Sequence, residues 1–293
     1  MILYISGRTD IVAFYTPWFI QRYKEGFVDV RNPVVPKKIS RIDFDDVDMM
    51  VFCTKNPLPI IPFLDEIKQP IIFQITLTPY QKDIEPHVIE KEKVIKAIKE
   101  ISKKIGKENV YVRYDPILLN QKYTIAYHQK AFLKLCTLLH NEIAGIIISF
   151  VDRYKNVLNH AKDLNLKELN KEDYEKLGKS LGEIGKKYNV AIQTCFEQVD
   201  LTKYHIENKP CVSKELALLK TGKKYKLWKA RNCGCVEMVD IGAYNTCSHL
   251  CKYCYANYKE KEVLNNQTKH DPNSSLLIGE ILEGDQILPR KNK

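Results

Sequence analysis

Short apolar runs and longer amphipathic stretches alternate along the first two hundred residues of the chain. Six runs rich in β-branched and aromatic residues are typical of buried strands and cover residues 2–6, 48–53, 71–77, 110–114, 145–151 and 190–195. Between them, five stretches have the spacing of amphipathic helices and cover residues 15–25, 58–68, 89–104, 125–140 and 171–188. The pattern therefore predicts strands and helices in regular alternation.

This alternation indicates the fold class. Nearly continuous apolar strands separated by helices are typical of a parallel sheet whose two faces are both covered. Six such units predict an α/β fold built as a (β/α) barrel, full or partial, rather than an open sheet. After residue 199 the pattern loosens, and the polar C-terminal stretch has only a weak apolar patch at residues 276–278. We expect residues 1–200 to form the barrel body and residues 201–293 to form a cysteine-rich segment that closes the barrel mouth, within one integrated domain.

Composition places the chain among globular proteins. Hydrophobic residues make up 44% and charged residues 28% of its 293 residues. No apolar run approaches the ~18–20 residues of a membrane span, and the first residues lack the basic region of a signal peptide. We expect a cytoplasmic protein that has no membrane partner. In a reducing cytosol, its nine cysteines are expected to serve metal binding or catalysis rather than disulfides.

The net charge of +10 raises the question of a nucleic-acid partner. Stretches such as "EKEKVIKAIKEISKKIGKE" mix lysine with glutamate along a predicted helix, as a solvated helix face does, and no compact arginine-rich patch is present. The charge therefore favours a lysine-rich surface, and nucleic acid stays open as an alternative partner.

Each predicted strand runs into polar residues at its C-terminal end. Barrel enzymes build their sites there because the loops after the strands converge. Such residues can instead cap the following helix, as Asp10 or Asn56 could. Their presence after six successive strands favours a polar cavity that binds substrate or cofactor groups. The candidate catalytic residues are Arg8, Asp10, Lys55, Arg113, Asp115, Asp152 and Glu197.

Three cysteines close to the C-terminus carry the most specific signal. Cys247, Cys251 and Cys254, the cysteine trio, have the spacing C-x3-C-x2-C. Thiolates bind zinc or iron–sulfur clusters, and structural zinc takes four ligands. Three thiolates suit a 4Fe–4S cluster that keeps one iron open. His249 could complete a zinc site, but simultaneous ligation is awkward from inside the loop between the first two cysteines.

The residues around the trio resemble a known superfamily. Its spacing, with the aromatic Tyr253 directly before the last cysteine, is similar to the signature of radical S-adenosylmethionine (SAM) enzymes, whose barrels match the predicted fold. The resemblance implies that the trio binds a 4Fe–4S cluster, that the open iron chelates the amino and carboxylate groups of SAM, and that Tyr253 lies against the adenine. It also implies a reductant such as flavodoxin or ferredoxin.

Phrases along the chain resemble one bacterial family in particular. "VRNP", "TKNP", "RYDP", "SFVD" and "DIGAYNTCSHLCKYCYAN" together are similar to domain of unknown function 1848, a family with C-terminal cysteines like those of radical SAM proteins. The resemblance extends from residue 2 to about residue 279. Radical SAM proteins normally carry the cysteine loop after the first strand, whereas here it follows all the predicted strands. We therefore expect a circularly permuted, radical SAM-like barrel, since chain termini often lie close together.

Four further cysteines predict a second metal site. Cys195, Cys211, Cys233 and Cys235, the second cysteine group, would complete either a zinc site or a second iron–sulfur cluster. Gly234 leaves room for the thiolates on either side of it to face one ion. The alternative is that these cysteines are scattered small hydrophobic residues. A metal site is favoured, with a cluster preferred over zinc.

The combined expectation is a radical SAM enzyme that reductively cleaves SAM and abstracts hydrogen from an unidentified substrate. One alternative is a zinc-stabilised nucleic-acid-binding protein without catalysis. Another is a radical SAM enzyme that acts on nucleic acid, which salt-dependent DNA binding would support. Metal content distinguishes the first two, because iron with sulfide excludes a simple zinc protein.

Overall fold

The structure is a computed structural model that describes residues 1–152, 154–195, 197–229 and 233–291. In chain order its strands and α-helices are β1 (Ile2–Ile5), α1 (Ile11–Phe14), α2 (Thr16–Glu25), β2 (Phe27–Arg31), β3 (Lys38–Asp43), β4 (Met49–Thr54), β5 (Ile71–Thr76), α3 (Lys91–Ile105), β6 (Val110–Ile117), α4 (Ile125–Leu139), β7 (Gly145–Phe150), α5 (Lys155–Asn159), α6 (Ala161–Leu164), α7 (Lys171–Tyr188), β8 (Ile192–Thr194), β9 (Ile206–Asn208), α8 (Lys214–Thr221), β10 (Val239–Asp240), α9 (Glu260–Gln267) and β11 (Gln286–Pro289).

Eight of these strands form one parallel sheet in the order β10-β1-β4-β5-β6-β7-β8-β9. The six strands predicted from the sequence are its six central members, which confirms the parallel α/β class. In the part of the chain that the structure describes, β10 and β9 are the two edges and do not pair with each other. The sheet is therefore not closed, and the full barrel that the sequence allowed is not formed by these residues.

Both faces of this sheet are buried, which explains why its strands are apolar throughout. Side chains such as Leu3, Phe52 and Phe73 belong to the main core, which also contains buried side chains of the helices. Side chains of the opposite face, including Ile2, Val51 and Ile147, pack in a second core with residues from the segment 211–238. A strand buried on both faces cannot show the alternation of a half-exposed strand. The segment 211–238 thus covers the face that lacks the main helices.

The helical pattern was correct for α2, α3, α4 and α7, which begin and end close to the predicted bounds. The predicted helix at residues 58–68 is instead a 3-10 helix over Leu58–Glu66. Pro62 explains the difference, because a proline inside a helix lacks the N–H that would donate to the preceding turn. α7 has a capping box, in which Asn170 and Asp173 each accept a hydrogen bond from the other's backbone N–H.

The C-terminal part of the chain packs against its beginning. β11 lies parallel to β3 in a second sheet with the order β11-β3-β2, whose strands the apolar pattern did not predict. The indole of Trp18 donates to the backbone oxygen of Ser274 at 2.8 Å. Farther upstream, β10 pairs with β1 directly before the cysteine loop. None of the described helices has the length and apolar character needed to span a membrane.

Candidate functional site

A cavity of about 1080 Å³ opens at the carboxyl ends of the central strands. Parallel strands end at the same edge of a sheet, so their terminal side chains meet there. All but one of the candidate residues from the sequence line this cavity. They are Asp10, Lys55, Arg113, Asp115, Asp152, Glu197, Tyr253, Cys195, Cys211, Cys233, Cys235, Cys247, Cys251 and Cys254. Candidates that are dispersed over more than two hundred positions of the chain thus share one space.

Arg8 is the exception, because it is not among the described residues that line the cavity. Its guanidinium donates to the backbone oxygen of Asp240 at 2.7 Å. The neighbouring Gly7 also lies against Asp240: a Cβ at this glycine would be 2.0 Å from the Asp240 carboxylate oxygen Oδ2. The loop after β1 therefore holds the end of β10, and Arg8 contributes to that contact rather than to the cavity wall.

The loop of residues 247–254 is anchored by its neighbours rather than by regular secondary structure. The backbone N–H of Lys252 donates to the backbone oxygen of Ile84 at 3.0 Å. The hydroxyl of Tyr255 donates to the backbone oxygen of Gly7, which follows β1. These bonds join the cysteine loop and the residue after it to the segment between β5 and α3 and to the loop after β1. They hold the loop at the cavity although it is far from those strands in the sequence.

The trio thiols are shielded from solvent. Cys247 is 9% exposed, Cys251 is 8% exposed and Cys254 is half-buried. Burial raises the pKa of all three thiols. The backbone N–H of Ala256 donates to the Cys254 sulfur at 3.3 Å. Metal binding requires thiolates, so occupation of this site would release protons from thiols that are otherwise neutral.

Asp10 connects the trio loop to the strand ends. Its Oδ2 accepts from the backbone N–H of Lys55 at 2.8 Å and lies 3.0 Å from Nε2 of His249. Its Oδ1 accepts from the backbone N–H of Ala13, so Asp10 also caps α1, as the helix-cap alternative proposed. The other ring nitrogen of His249, Nδ1, is buried without a hydrogen-bond partner. Asp10 thus positions the imidazole that lies inside the cysteine loop.

A buried charge network that the sequence did not indicate lies beside Tyr253. Glu85, 1% exposed, accepts from Lys55 Nζ at 2.7 Å and from Thr78 at 2.6 Å, and it also accepts from Lys91 and from the Tyr253 hydroxyl. Burial raises the pKa of the Glu85 carboxyl, but the two lysines more than offset this and lower it to about 2. Lys55 is consequently paired with a carboxylate. No motif or strand end marks Glu85 or Lys91, so only the fold reveals them.

Three cysteines of the second group meet in space. The sulfurs of Cys195, Cys211 and Cys235 all lie within 4.8 Å of one another. Among the described residues, this is the one set of thiol, imidazole or carboxylate ligands that meets this distance, and it could hold a metal ion. Cys233, the fourth predicted member, lies outside the set but lines the same cavity as the three converging cysteines.

Arg113 faces this second group. Its Nη1 lies 3.3 Å from the Cys211 sulfur and 3.0 Å from Oε1 of Gln74. Its Nε donates to Asp115 at 2.9 Å, and Ser149 donates to the other oxygen of that carboxylate. Burial lowers the pKa of Arg113, but Asp115 and the neighbouring cysteines outweigh it and hold the pKa well above its ordinary value. The guanidinium is therefore a fixed positive charge between the strand ends and the cysteines.

Glu197 differs from the other carboxylates of the cavity. Burial raises its pKa to about 7, although the backbone N–H of Phe150 donates to Oε1 at 2.9 Å and opposes the shift. A carboxyl with this pKa exchanges a proton near neutral pH, as general acids and bases do. Asp152 lines the same wall and is exposed.

A family model matches most of the chain. The family model described as "Domain of unknown function (DUF1848)" matches residues 2–256, which include the six central strands and the cysteine trio. The match ends before the position near residue 279 to which the resemblance was expected to extend. No curated protein matches the chain. Because the match covers most of the sequence, the chain belongs to the DUF1848 family.

Proposed function

We propose that this protein is an iron–sulfur enzyme of the radical SAM type. The trio would bind a 4Fe–4S cluster, and its open iron would bind SAM. The observation that carries the proposal is that a C-x3-C-x2-C loop with Tyr253 lines the same cavity as the charged strand ends. A cytoplasmic location and a reductant such as flavodoxin or ferredoxin belong to the same proposal.

The spacing of the trio sulfurs suits a cluster better than a single ion. Thiolates around one tetrahedral zinc, with bonds of ~2.3 Å, lie about 3.8 Å apart. The three trio sulfurs do not all lie within 4.8 Å of one another, whereas the sulfurs of Cys195, Cys211 and Cys235 do. In a 4Fe–4S cluster each thiolate binds a different iron, so the cysteine sulfurs are farther apart than they are around one zinc ion.

The order of strands supports a permuted, partial barrel. β10 lies outside β1 at the edge of the sheet, and the cysteine loop follows β10. Reading across the sheet from that edge, the strand that carries the cysteine loop comes first and β1, β4, β5, β6, β7 and β8 follow. This is the spatial order of a radical SAM barrel, in which the cysteine loop follows the first strand. The chain would reach that order with its first strand contributed from near its C-terminus.

Residues of the cavity have separable parts in this proposal. When bound, a reduced cluster of this type supplies the electron that cleaves SAM to methionine and a 5′-deoxyadenosyl radical that takes hydrogen from a substrate. Glu85 and Lys55 would fix Tyr253 beside the cofactor, through the hydroxyl and the face of its ring. Glu197 would accept or donate a proton of the substrate. The cavity volume of about 1080 Å³ matches the upper end of small-molecule sites.

The test is SAM cleavage by anaerobically reconstituted protein. Protein loaded with iron and sulfide and then reduced is expected to form 5′-deoxyadenosine, and Cys251→Ala is expected to form none. Cys53→Ser is the matched control, because Cys53 lines the same cavity outside both cysteine groups. Parent protein that carries ~4 irons per chain and still forms no 5′-deoxyadenosine would overturn the proposal. Zinc without iron and sulfide would favour the non-catalytic alternative.

A further inference from the structure

The second cysteine group joins three separate segments of the fold. Cys195 follows β8, and Cys211 follows β9. Cys235 lies in an antiparallel pairing of the chain, where its backbone oxygen accepts from the N–H of Trp228 at 2.8 Å and Leu227 pairs with the residue after Cys235. Cys211 and Cys235 are buried, and Cys195 is half-buried. Sulfurs from three segments converge here, which scattered hydrophobic cysteines would not require.

Their separation distinguishes a single ion from a cluster. All three sulfurs lie within 4.8 Å of one another, close to the ~3.8 Å expected for thiolates with ~2.3 Å bonds to one tetrahedral ion. A cluster would hold them farther apart because each thiolate binds its own iron. The geometry thus reverses the preference for a second cluster that the sequence suggested.

Cys233 is the candidate for the fourth thiolate, although its sulfur lies outside the set within 4.8 Å and would have to move closer when an ion binds. It lies two residues from Cys235 and lines the same cavity. Gly234 between them has a φ of +66°, a conformation that glycine adopts at no steric cost, and this bends the chain between the two thiols. We infer that Cys195, Cys211, Cys235 and Cys233 bind one zinc-type ion at a centre separate from the trio.

Arg113 completes the electrostatics of this centre. Four thiolates around one divalent ion leave a net negative charge, which is costly at a buried site without compensation. The Arg113 guanidinium lies 3.3 Å from the Cys211 sulfur, and it cannot lose its proton in a protein. Gln74 and Asp115 hold it in this position, as partners of a metal ligand do.

The position of the ion suggests what it stabilises. Val212, Val236 and Met238 adjoin the cysteines and pack on the sheet face that lacks the main helices. An ion bound by Cys195 on one side and by Cys211 and Cys235 on the other would tie this cover to the end of β8. It would therefore stabilise one wall of the cavity rather than perform the chemistry there.

The experiment uses the full chain with the trio replaced by serine (Cys247→Ser, Cys251→Ser and Cys254→Ser), so that its outcome does not depend on the proposed radical chemistry. Purified with zinc, this trio-less protein is expected to keep one zinc per chain. Adding Cys211→Ser should weaken zinc binding at least tenfold, whereas adding Cys53→Ser should leave it unchanged. A trio-less protein without tightly bound zinc, or with iron and sulfide at the remaining cysteines, would overturn the inference.

Cobalt tests the fourth ligand. Co²⁺ in a tetrahedral thiolate site absorbs in the red and has a thiolate charge-transfer band whose intensity follows the number of sulfurs. Cys233→Ser in the trio-less protein should lower that band by about one quarter, because one of four thiolates is lost. An unchanged band would exclude Cys233 as the fourth ligand.

A spectroscopic measurement on the parent protein covers the case in which the trio-less protein fails to fold. X-ray absorption at the zinc edge should then show four sulfur neighbours at ~2.3 Å and no iron neighbour. Fewer than four sulfur neighbours, or no zinc bound, would overturn the inference. Failure of SAM cleavage would leave this result untouched.

Discussion

The trio and the second cysteine group line one cavity but are built differently. The trio lies within eight residues of one loop, and its positions follow a recognisable spacing. The second group spans residues 195–235 and comes from three segments that meet only in the folded chain. Under the proposed function, the three thiols of this loop would leave one iron of a cluster open to another molecule. A site assembled from distant segments instead holds those segments together, as structural zinc does.

The charged residues around the trio also differ from those around the second cysteine group. A buried network around Glu85 adjoins the trio side, and it holds Tyr253 through its hydroxyl. The second group faces Arg113, a fixed cation that compensates thiolate charge. Under the two proposals, the three cysteines of the trio would serve cofactor chemistry and the four cysteines of the second group would serve stability.

The largest expected effect is that a substitution in the trio removes SAM cleavage only, whereas a substitution in the second cysteine group removes zinc only. Cys251→Ala should abolish 5′-deoxyadenosine formation and leave the zinc content unchanged, because Ala cannot replace a metal ligand. Cys235→Ala should remove the zinc and leave the brown absorption of the iron–sulfur protein. Metal analysis and SAM cleavage measured on both variants check this. If either substitution removes both metals, the two groups are not separate centres.

The network beside the trio should carry a large part of the stability. Glu85→Gln is expected to lower the free energy of unfolding by about 3–5 kcal/mol, since the half-buried Lys55 and Lys91 would lose the buried carboxylate that they share. Urea denaturation of metal-free protein measures it. Glu172→Gln is the control, because its pair with Lys176 is exposed and screened by solvent, so its loss should change stability little. Equal losses in both variants would contradict the special position of Glu85.

Low pH should reduce the free energy of unfolding through a buried histidine near the cysteine trio. Burial lowers the pKa of His128 to about 4, although the backbone oxygen of Leu118 opposes the shift. His128 contacts the ring of Tyr80, which in turn contacts Tyr253. Between pH 6.5 and 4 the unfolded chain binds a proton there and the folded chain does not. The stability from neutral His128 is therefore complete above pH 6.5 and decreases as the pH falls, by about 2–3 kcal/mol at pH 4.5.

Unfolding free energies of metal-free protein at pH 7 and pH 4.5 measure this effect. His128→Gln should reduce the difference between the free energies of unfolding at the two pH values. The matched control is His205→Asn, since His205 is exposed and has a positive φ that asparagine tolerates. The interpretation fails if the two substitutions change the pH dependence equally.

The smallest expected effect concerns DNA. Many lysines of this positively charged chain pair with nearby carboxylates, as Lys104 does with Asp65 and Lys203 with Glu175. We expect a dissociation constant for duplex DNA no tighter than about 10⁻⁶ M at physiological salt, equal in the parent and in Cys235→Ala. Fluorescence anisotropy measures it. Binding at ~10⁻⁸ M that disappears with the zinc would make the second group part of a nucleic-acid site.

Local pattern predicted much of the fold and part of the site. The six central strands and four helices follow from apolar periodicity, and the residues at the strand ends follow from parallel pairing. β10 escaped this reasoning because a strand of two residues has no period. β2 (FVDVR) and β3 (KISRID) escaped it because charged and polar residues interrupt their apolar positions, so neither has the continuous apolar run of the predicted strands. Such segments are specified by their neighbours rather than by their own pattern.

The sequence by itself determined the parallel α/β class and the spacing of the trio, because periodicity and ligand spacing are properties of neighbouring residues. The tertiary structure alone decided that β10 lies beside β1, that Glu85 collects two lysines, and that Arg113 faces the second cysteine group. It also selected the three cysteines whose sulfurs converge. Each of these depends on contacts between distant segments, which form only when burial of the two apolar sheet faces brings those segments together.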